Sequence, residues 1–530
     1  MEFYFIFLTL YVELRAECRE MKYRTVDVLI IGAGLSGIGA AVHLQKECPG
    51  KSYEILESRK SMGGTWDLFR YPGIRSDSDM FTLGYTFKPW KDNKSIADGP
   101  SILKYINETA KEYGVEKNIN YEKKVVALDW SSREAIWTVK VKDAASDEIE
   151  IIKCNFVFSC TGYYRYEQGH TPEFKGSERF RGKVIHPQRW PENLNYRGKR
   201  VVVIGSGATA VTLVPAMCDK AEHVAMLQRS PSYVVSVPAR DAMSMRLKEY
   251  FSDRWVYKII RARNILAGVL SYKFFRRFPI RSRKFLIDQI KSMMGADFEV
   301  SHFTPKYNPW DERLCAVPDG DMFKEIKNGN ASVVTDKIEC FTETGVRLAS
   351  GEELPADIIV TATGLEVEFM SGIEISLDAQ PVDISKKMYY RGAMLEDIPN
   401  LSMIFGYTSL AWTLKADLIN KYTCRVINYM DQHGYKQVTP RSNFQAQEKV
   451  GFLSDLKAGY ITRALETMPR HGNSHPWKVY QDYFSDFIFM RYGRINDKVL
   501  VYSKPTSHIY DFGLESKPEL KKYVTTKTTA

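Results

Sequence analysis

The chain has 530 residues, too many for one ordinary core, and its 44% apolar and 26% charged content is that of a folded globular protein. No window of about 18 uninterrupted apolar residues marks a membrane-spanning helix. The net charge of +10 is concentrated between Met243 and Ser292, which hold thirteen Lys or Arg against three acidic residues, so the rest of the chain is close to neutral.

The first segment, MEFYFIFLTLYVELRAE, has an apolar run of signal-peptide length. It carries Glu2 where a basic region belongs and has no small-residue cleavage site. Residues 1–20 are therefore expected to be an extension, with an anchor as the alternative, and the globular part to begin near Met21. Val26 to Ile31 (VDVLII) then reads as a buried strand running into Gly32-Ala33-Gly34-Leu35-Ser36-Gly37 and an Ala-rich helix. In such a strand–turn–helix unit Gly32 permits the turn, Gly34 lets a pyrophosphate approach the helix N-terminus, and Gly37 lets helix and strand pack closely. The next strand, YEILE, ends in Glu57, placed to accept bonds from ribose hydroxyls. Gly63-Gly64 follows as a second close-approach loop, with Thr65 and Trp66 as further candidate contacts.

The pattern recurs at KRVVVI, Lys199 to Ile204, which leads into Gly205-Ser206-Gly207-Ala208-Thr209-Ala210, a helix, and the strand HVAMLQ. This second unit ends in Gln228-Arg229-Ser230, where a guanidinium and a hydroxyl can bind a phosphate that a carboxylate would repel. FAD is assigned to the first site and NADPH to the second. NFVFSCTG (Asn155 to Gly162) and DIIVTATG (Asp357 to Gly364) read as crossings between two domains. The expected fold is α/β, with two Rossmann-like dinucleotide-binding domains and a helical insertion. Residues 21–160 and 365–530 form a discontinuous FAD-binding domain, 161–238 and 303–364 an NADP-binding domain, and 239–302 the insertion.

The charge of the insertion is read first as a solvated basic face on helices packed against the NADP-binding domain. A membrane-surface patch is the second reading, because aromatic residues interleave with Lys and Arg. Nucleic-acid binding is set aside, since no recognition fold accompanies the charge. The eight cysteines show neither C-x-x-C nor a zinc-ligand spacing, which points to reduced thiols in a cytoplasmic protein, with no metal and no redox dithiol of the kind a flavin disulfide reductase needs.

Phe180, Gly182, His186, Trp190 and Pro191 fit F-x-G-x-x-x-H-x-x-x-W-P, which resembles the fingerprint of type I Baeyer-Villiger monooxygenases. RYPGIRSDSD, NPWDERLCAVPDGD and WTLKADL look most like the ethionamide-activating group within that family, which acts on ketones and sulfur compounds. The resemblance implies a flavin reduced by NADPH, oxygen addition to give a C4a-peroxyflavin, and conversion of ketones to esters or lactones or of thioethers to sulfoxides. It also implies that His186 lies in a linker coupling the two domains, that Arg313 is the cation held near the peroxide, and that Asp77 is its aspartate partner. One departure stands out: many members have Lys before this Arg to help hold the NADP 2′-phosphate, and this chain has Glu312, which throws that contact onto Arg229 and Ser230. A surface ion pair with Asp311 or Glu312 is the plain structural alternative for Arg313. An N- or S-oxidising flavin-containing monooxygenase is the alternative function, and a non-catalytic nucleotide-binding or membrane-surface protein the alternative of another class.

Overall fold

The computed structural model describes residues 23–442, 450–453 and 456–504; the expected extension over residues 1–20 and the tail beyond Lys504 lie outside them. The apolar run forms β1 (Arg24–Ile31), fully buried from Val28 to Ile31. Helix α1 (Leu35–Glu47) is buried from Leu35 to Leu44 because its small residues let it lie flat on the strand. Strand β2 (Tyr53–Leu56) returns parallel to β1, with Ile55 opposite Ile30. Strands β3 (Lys123–Ser131), β4 (Ile136–Asp143) and β5 (Ile149–Ser159) form an antiparallel meander, and β5 runs parallel beside β1 with Phe158 opposite Ile30.

The chain leaves this sheet through β6 (Tyr164–Gly169) and builds a second one from β7 (Lys183–Ile185), β8 (Arg200–Ile204), β9 (His223–Gln228), β10 (Ala331–Thr335) and β11 (Ile358–Thr361). All four pairings are parallel, in the order β10-β9-β8-β11-β7, and helix α2 (Ala208–Met217) connects β8 to β9. The return runs through β12 (Leu365–Val367), which pairs antiparallel with β6. Strand β13 (Leu401–Met403) then rejoins the first sheet beside β5.

Between β9 and β10 lie α3 (Ala242–Leu247), α4 (Asp253–Arg277) and α5 (Pro279–Met294). The sequence reading packs this insertion against the second nucleotide-binding unit. Helix α5 does so, with Gln289 accepting from the Ser236 N–H at 3.0 Å and Arg283 donating to the Tyr233 hydroxyl at 2.8 Å, and the end of α4 joins it through Arg276 on Asp311. The body of α4 packs on the first unit, through a residue hidden in the basic run. Arg261 is buried, and its Nη1 donates to the carbonyls of Phe81, Thr82 and Gly84 at 2.7, 3.1 and 2.8 Å. Its Nη2 stands 3.7 Å from Asp417 on α6 (Trp412–His433). The Asp417 carboxylate also bonds His43 Nε2 of α1 at 3.0 Å and accepts from the Thr86 N–H at 3.1 Å, so one buried charge ties together α1, α4, α6 and the segment 81–86.

Burial alone would raise the Asp417 carboxyl, but the hydrogen bond and charge of His43 and the charge of Arg261 outweigh it and hold its pKa below the ordinary value. Asp417→Ala, which leaves Arg261 uncompensated, is expected to cost about 3–5 kcal/mol of stability. A carboxyl depressed on folding stabilises the fold above its unfolded value and loses that contribution as pH falls through the folded one. The melting-temperature gap between wild type and Asp417→Ala is therefore full at neutral pH and shrinks below about pH 4. A gap that did not change with acidification would contradict this account.

Candidate active site

The two glycine turns share one backbone geometry. Gly32 and Gly205 have φ of +101° and +140°, and the N-cap residues Gly34 (φ −79°, ψ −170°) and Gly207 (φ −82°, ψ −175°) nearly coincide. Neither helix has a side-chain cap, so the first-turn N–H groups of α1 and α2 are left for an anion. Gly32, Gly34, Gly205, Ser206, Gly207, Ala208 and Thr209 all line one cleft of about 1350 Å³, larger than the roughly 300–1,000 Å³ of a single small-ligand site. Gly37 and Ala210 do not line it. Gly37 packs behind its turn, where a Cβ would stand 1.9 Å from the Gly32 carbonyl oxygen, and Ala210 takes the corresponding buried position in the second turn.

Glu57, just past β2, faces the cleft at the first turn. Its Oε2 accepts from the Ala33 N–H at 2.8 Å and its Oε1 from the Arg59 N–H at 3.0 Å, which fixes the carboxylate beside the glycine turn. Burial pushes its pKa up against those bonds. Gly64, Thr65 and Trp66 line the same end. Arg59, which the sequence reading did not single out, braces this loop by bonding the Gly64 carbonyl at 3.3 Å and pairing with Asp67 at 2.8 Å.

At the second turn Arg229 and Ser230 are exposed along the cleft, whereas Gln228 turns inward to the His302 carbonyl at 2.6 Å and Thr335 Oγ1 at 2.8 Å. Glu312 lines the cleft near Arg229. Burial and the neighbouring Asp311 raise the Glu312 carboxyl, and the Arg229 charge opposes them.

Arg313 also lines the cleft, and its Nε is buried without a hydrogen-bond partner. Burial works against its charge, but the oxygens of Tyr460, Tyr163, Tyr164 and Asp77 outweigh this and hold the guanidinium cationic well above its ordinary range. The surface ion pair with Asp311 is not formed; that carboxylate pairs with Arg276 at 2.7 Å and Lys457 at 3.8 Å. Asp77 is a charge neighbour of Arg313 and makes no ion pair with it within 4 Å; its carboxyl opens into the cleft. The poor solvation of the cleft walls raises Asp77 although its surface is open to the cleft, and Arg313 and Arg75 pull it down, Arg75 being itself bonded to Asp321 at 2.5 Å. Tyr163 stacks on Trp412 with centroids 5.4 Å apart, and the Trp412 indole donates to Ser36 at 2.7 Å. Tyr163 and Tyr164 follow the T-G of the first crossing and Trp412 opens WTLKADL, so a signal for them existed. Tyr460, remote in sequence, had none.

His186 is not among the cleft-lining residues. Its Nδ1 accepts from the Gln188 N–H at 3.2 Å, which leaves the proton on Nε2 to be donated to the Gly364 carbonyl at 3.2 Å. Burial holds its pKa below the ordinary histidine value, so the ring is neutral at pH 7. Among the described residues no cluster of three or more His, Cys, Asp or Glu could hold a metal ion.

Residues 84–432 match the flavin-binding monooxygenase-like family, and residues 30–94 match an NAD(P)-binding Rossmann-like domain. The chain is 48% identical over 481 residues to the FAD-containing monooxygenase EthA of Mycobacterium tuberculosis, which covers 90% of this chain and 98% of that protein. Its fold is similar to that of an oxidized steroid monooxygenase bound to NADP, with 22% identity and a TM-score of 0.72 over 91% of this chain and 100% of that one. It is also similar to an open crystal structure of cyclohexanone monooxygenase, with 21% identity and a TM-score of 0.67 over 79% and 90%.

Arg229→Ala is expected to lower the preference for NADPH over NADH roughly ten- to a hundred-fold, the worth of one charge-assisted contact of about 1.5–3 kcal/mol. Glu312→Gln should act the opposite way, lowering the KM for NADPH about five-fold and leaving that for NADH unchanged. Steady-state kinetics with both coenzymes check the pair; an unchanged NADPH KM in Glu312→Gln would show that this carboxylate does not reach the 2′-phosphate.

Proposed function

The chain belongs to the flavin-binding monooxygenase-like family, and from that premise we propose that it is an NADPH- and O2-dependent FAD monooxygenase that converts ketones to esters or lactones, and thioethers to sulfoxides. The observation that carries the reading is Arg313, a guanidinium with an unpartnered Nε in the cleft that both dinucleotide turns share. The residues fit two such cofactors. FAD would be held at Gly32, Gly34, Glu57, Gly64, Thr65 and Trp66, and NADPH at Gly205 to Thr209 with its 2′-phosphate on Arg229 and Ser230. Reduced FAD bound there would supply activated oxygen. In balance, one O2, one NADPH and one proton yield NADP⁺, water and one oxygen atom placed between a carbonyl carbon and its neighbour.

The side chains determine how that oxygen is used. Arg313 holds negative charge as it develops on oxygen, and it does so without a proton to lose, because a guanidinium stays protonated at every working pH. A charge fixed in a water-poor site needs no reorganisation at the moment of reaction. Asp77 orients that guanidinium through space and moderates its charge. The stacked Tyr163 and Trp412 wall off this end of the cleft from water. His186 is a positioning residue: its neutral ring ties the fingerprint loop to the carbonyl of Gly364 at the return crossing.

Anaerobic NADPH addition followed by air, with a ketone and a thioether in competition and the products weighed by mass spectrometry, tests the reading. An ester supports it, and sulfoxide alone would move the chain to the N- or S-oxidising class. Arg313→Ala is expected to bind FAD and be reduced by NADPH at wild-type rate while ester formation falls a hundred- to a thousand-fold, about 3–4 kcal/mol. NADPH oxidation should then yield hydrogen peroxide. Asp77→Ala should show a milder loss, and undiminished ester yield in Arg313→Ala would place the catalytic cation elsewhere.

A further inference from the structure

Helix α4 carries apolar residues around most of its circumference, some buried and one stripe exposed. Inward, Val256, Tyr257, Ile260, Ile265 and Val269 pack in the core together with Arg261. Outward, Trp255, Ile259, Leu266 and Leu270 are 59%, 37%, 48% and 57% exposed. At about 100° per residue these four lie within about 60° of one another, on a helix roughly 37 Å long. The stripe continues into the start of α5, where Ile280 and Phe285 are 84% and 55% exposed.

Cations flank it. Lys258 Nζ sits 4.8 Å from the Trp255 ring, and the guanidinium carbons of Arg277 and Arg281 sit 5.6 and 5.5 Å from the Phe278 ring. Arg254, Lys258, Arg277 and Arg281 are all exposed, and among the described residues none of them makes an ion pair. Much of the basic run is otherwise engaged, with Arg263 on Asp241, Lys273 on Asp482, Arg276 on Asp311 and Lys284 on Asp288. A solvated basic face, the reading favoured by sequence, would turn all its apolar residues inward; here a second set faces out, with unpaired cations beside it.

We propose that the outward face of α4 and the start of α5 docks the protein on the surface of an anionic lipid bilayer. Aromatic and aliphatic side chains would enter the headgroup boundary, and the flanking cations would meet lipid phosphates. The geometry is that of a helix lying in the interface, since no described helix is long and apolar enough to cross a membrane. A second copy of the chain is the poorer occupant, because a two-fold contact would set this basic patch against itself. The opposite side of α4 reaches the cleft. Gly268 lies against Leu410, where a Cβ would come within 2.8 Å of Leu410 Cδ2, and Leu410 lines the cleft beside Tyr407 and Trp412. Docking would thus bring that end of the cleft to about one helix diameter, roughly 10 Å, from the lipid.

Flotation of the full-length flavin-loaded protein with phosphatidylglycerol–phosphatidylcholine vesicles, and with phosphatidylcholine alone, tests this. The wild type should float with the anionic vesicles and be released by raised salt. Two variants, Trp255→Ser/Leu266→Ser/Leu270→Ser and Arg254→Gln/Lys258→Gln/Arg277→Gln/Arg281→Gln, should each lose affinity roughly a hundred-fold or more while keeping wild-type melting temperature and NADPH oxidation. Wild-type protein that stays at the bottom of the gradient overturns the proposal. So do variants that float like the wild type, which would assign binding to another segment. A wild-type dimer in light scattering that the triple serine variant dissolves, without vesicle binding, would assign the face to a second copy and equally overturn it.

Discussion

The cleft depends on the way the chain passes twice between its two sheets. The outgoing and returning segments, β6 and β12, pair with each other, Leu365 opposite Gly169 and Val367 opposite Tyr164. That pairing satisfies backbone groups which would otherwise be left open in the gap. His186 pins the same junction: its ring bonds the Gly364 carbonyl and fills the space a side chain at position 169 would occupy, since a Cβ there would lie 2.0 Å from its Cε1. With the crossing fixed, both glycine turns open into one cavity, and Tyr164, at the start of β6, is brought beside Arg313.

Two arginines show how placement separates a charge used in packing from one that faces a cavity. Arg261 spends Nη1 on three carbonyls and stands against Asp417, and its charge is consumed in holding α4 to the first unit. Arg313 is retained with its Nε unpartnered, in a cleft. A buried donor without a partner costs stability. Arg261 Nη2 also lacks a hydrogen-bond partner, but it stands against Asp417 in the core, whereas Arg313 faces the cleft.

The parts of the fold set by local backbone demands were legible in the sequence. Both strand–turn–helix units could be read because a positive φ at Gly32 and a close approach at Gly37 leave few residue types to choose from. The neighbourhood of Arg313 and Asp77 came from family resemblance, since the two residues are brought together only by the topology. Tyr460 joins them from a distant segment and could not be read. The orientation of α4 was hidden for a related reason. Apolar residues recur around its whole circumference, and only the register set by Arg261 against Asp417 and the 81–84 carbonyls decides which of them meet solvent.

The unequal packing behind the two turns sets how freely each can evolve. A methyl group on Gly37 would collide with the chain's own carbonyl, whereas the matching position in the second turn already carries one in Ala210, and a Cβ on Gly207 would meet nothing within 4 Å. The leading glycine is constrained in both turns, since a Cβ would stand 2.6 Å from the Cys160 carbonyl oxygen at Gly32 and 2.3 Å from that of Ala362 at Gly205, so the difference lies in the positions that follow it. The second turn therefore has latitude past its first glycine: a side chain at position 207 meets open space, and the exposed positions 229 and 230 beside it can change without disturbing the core.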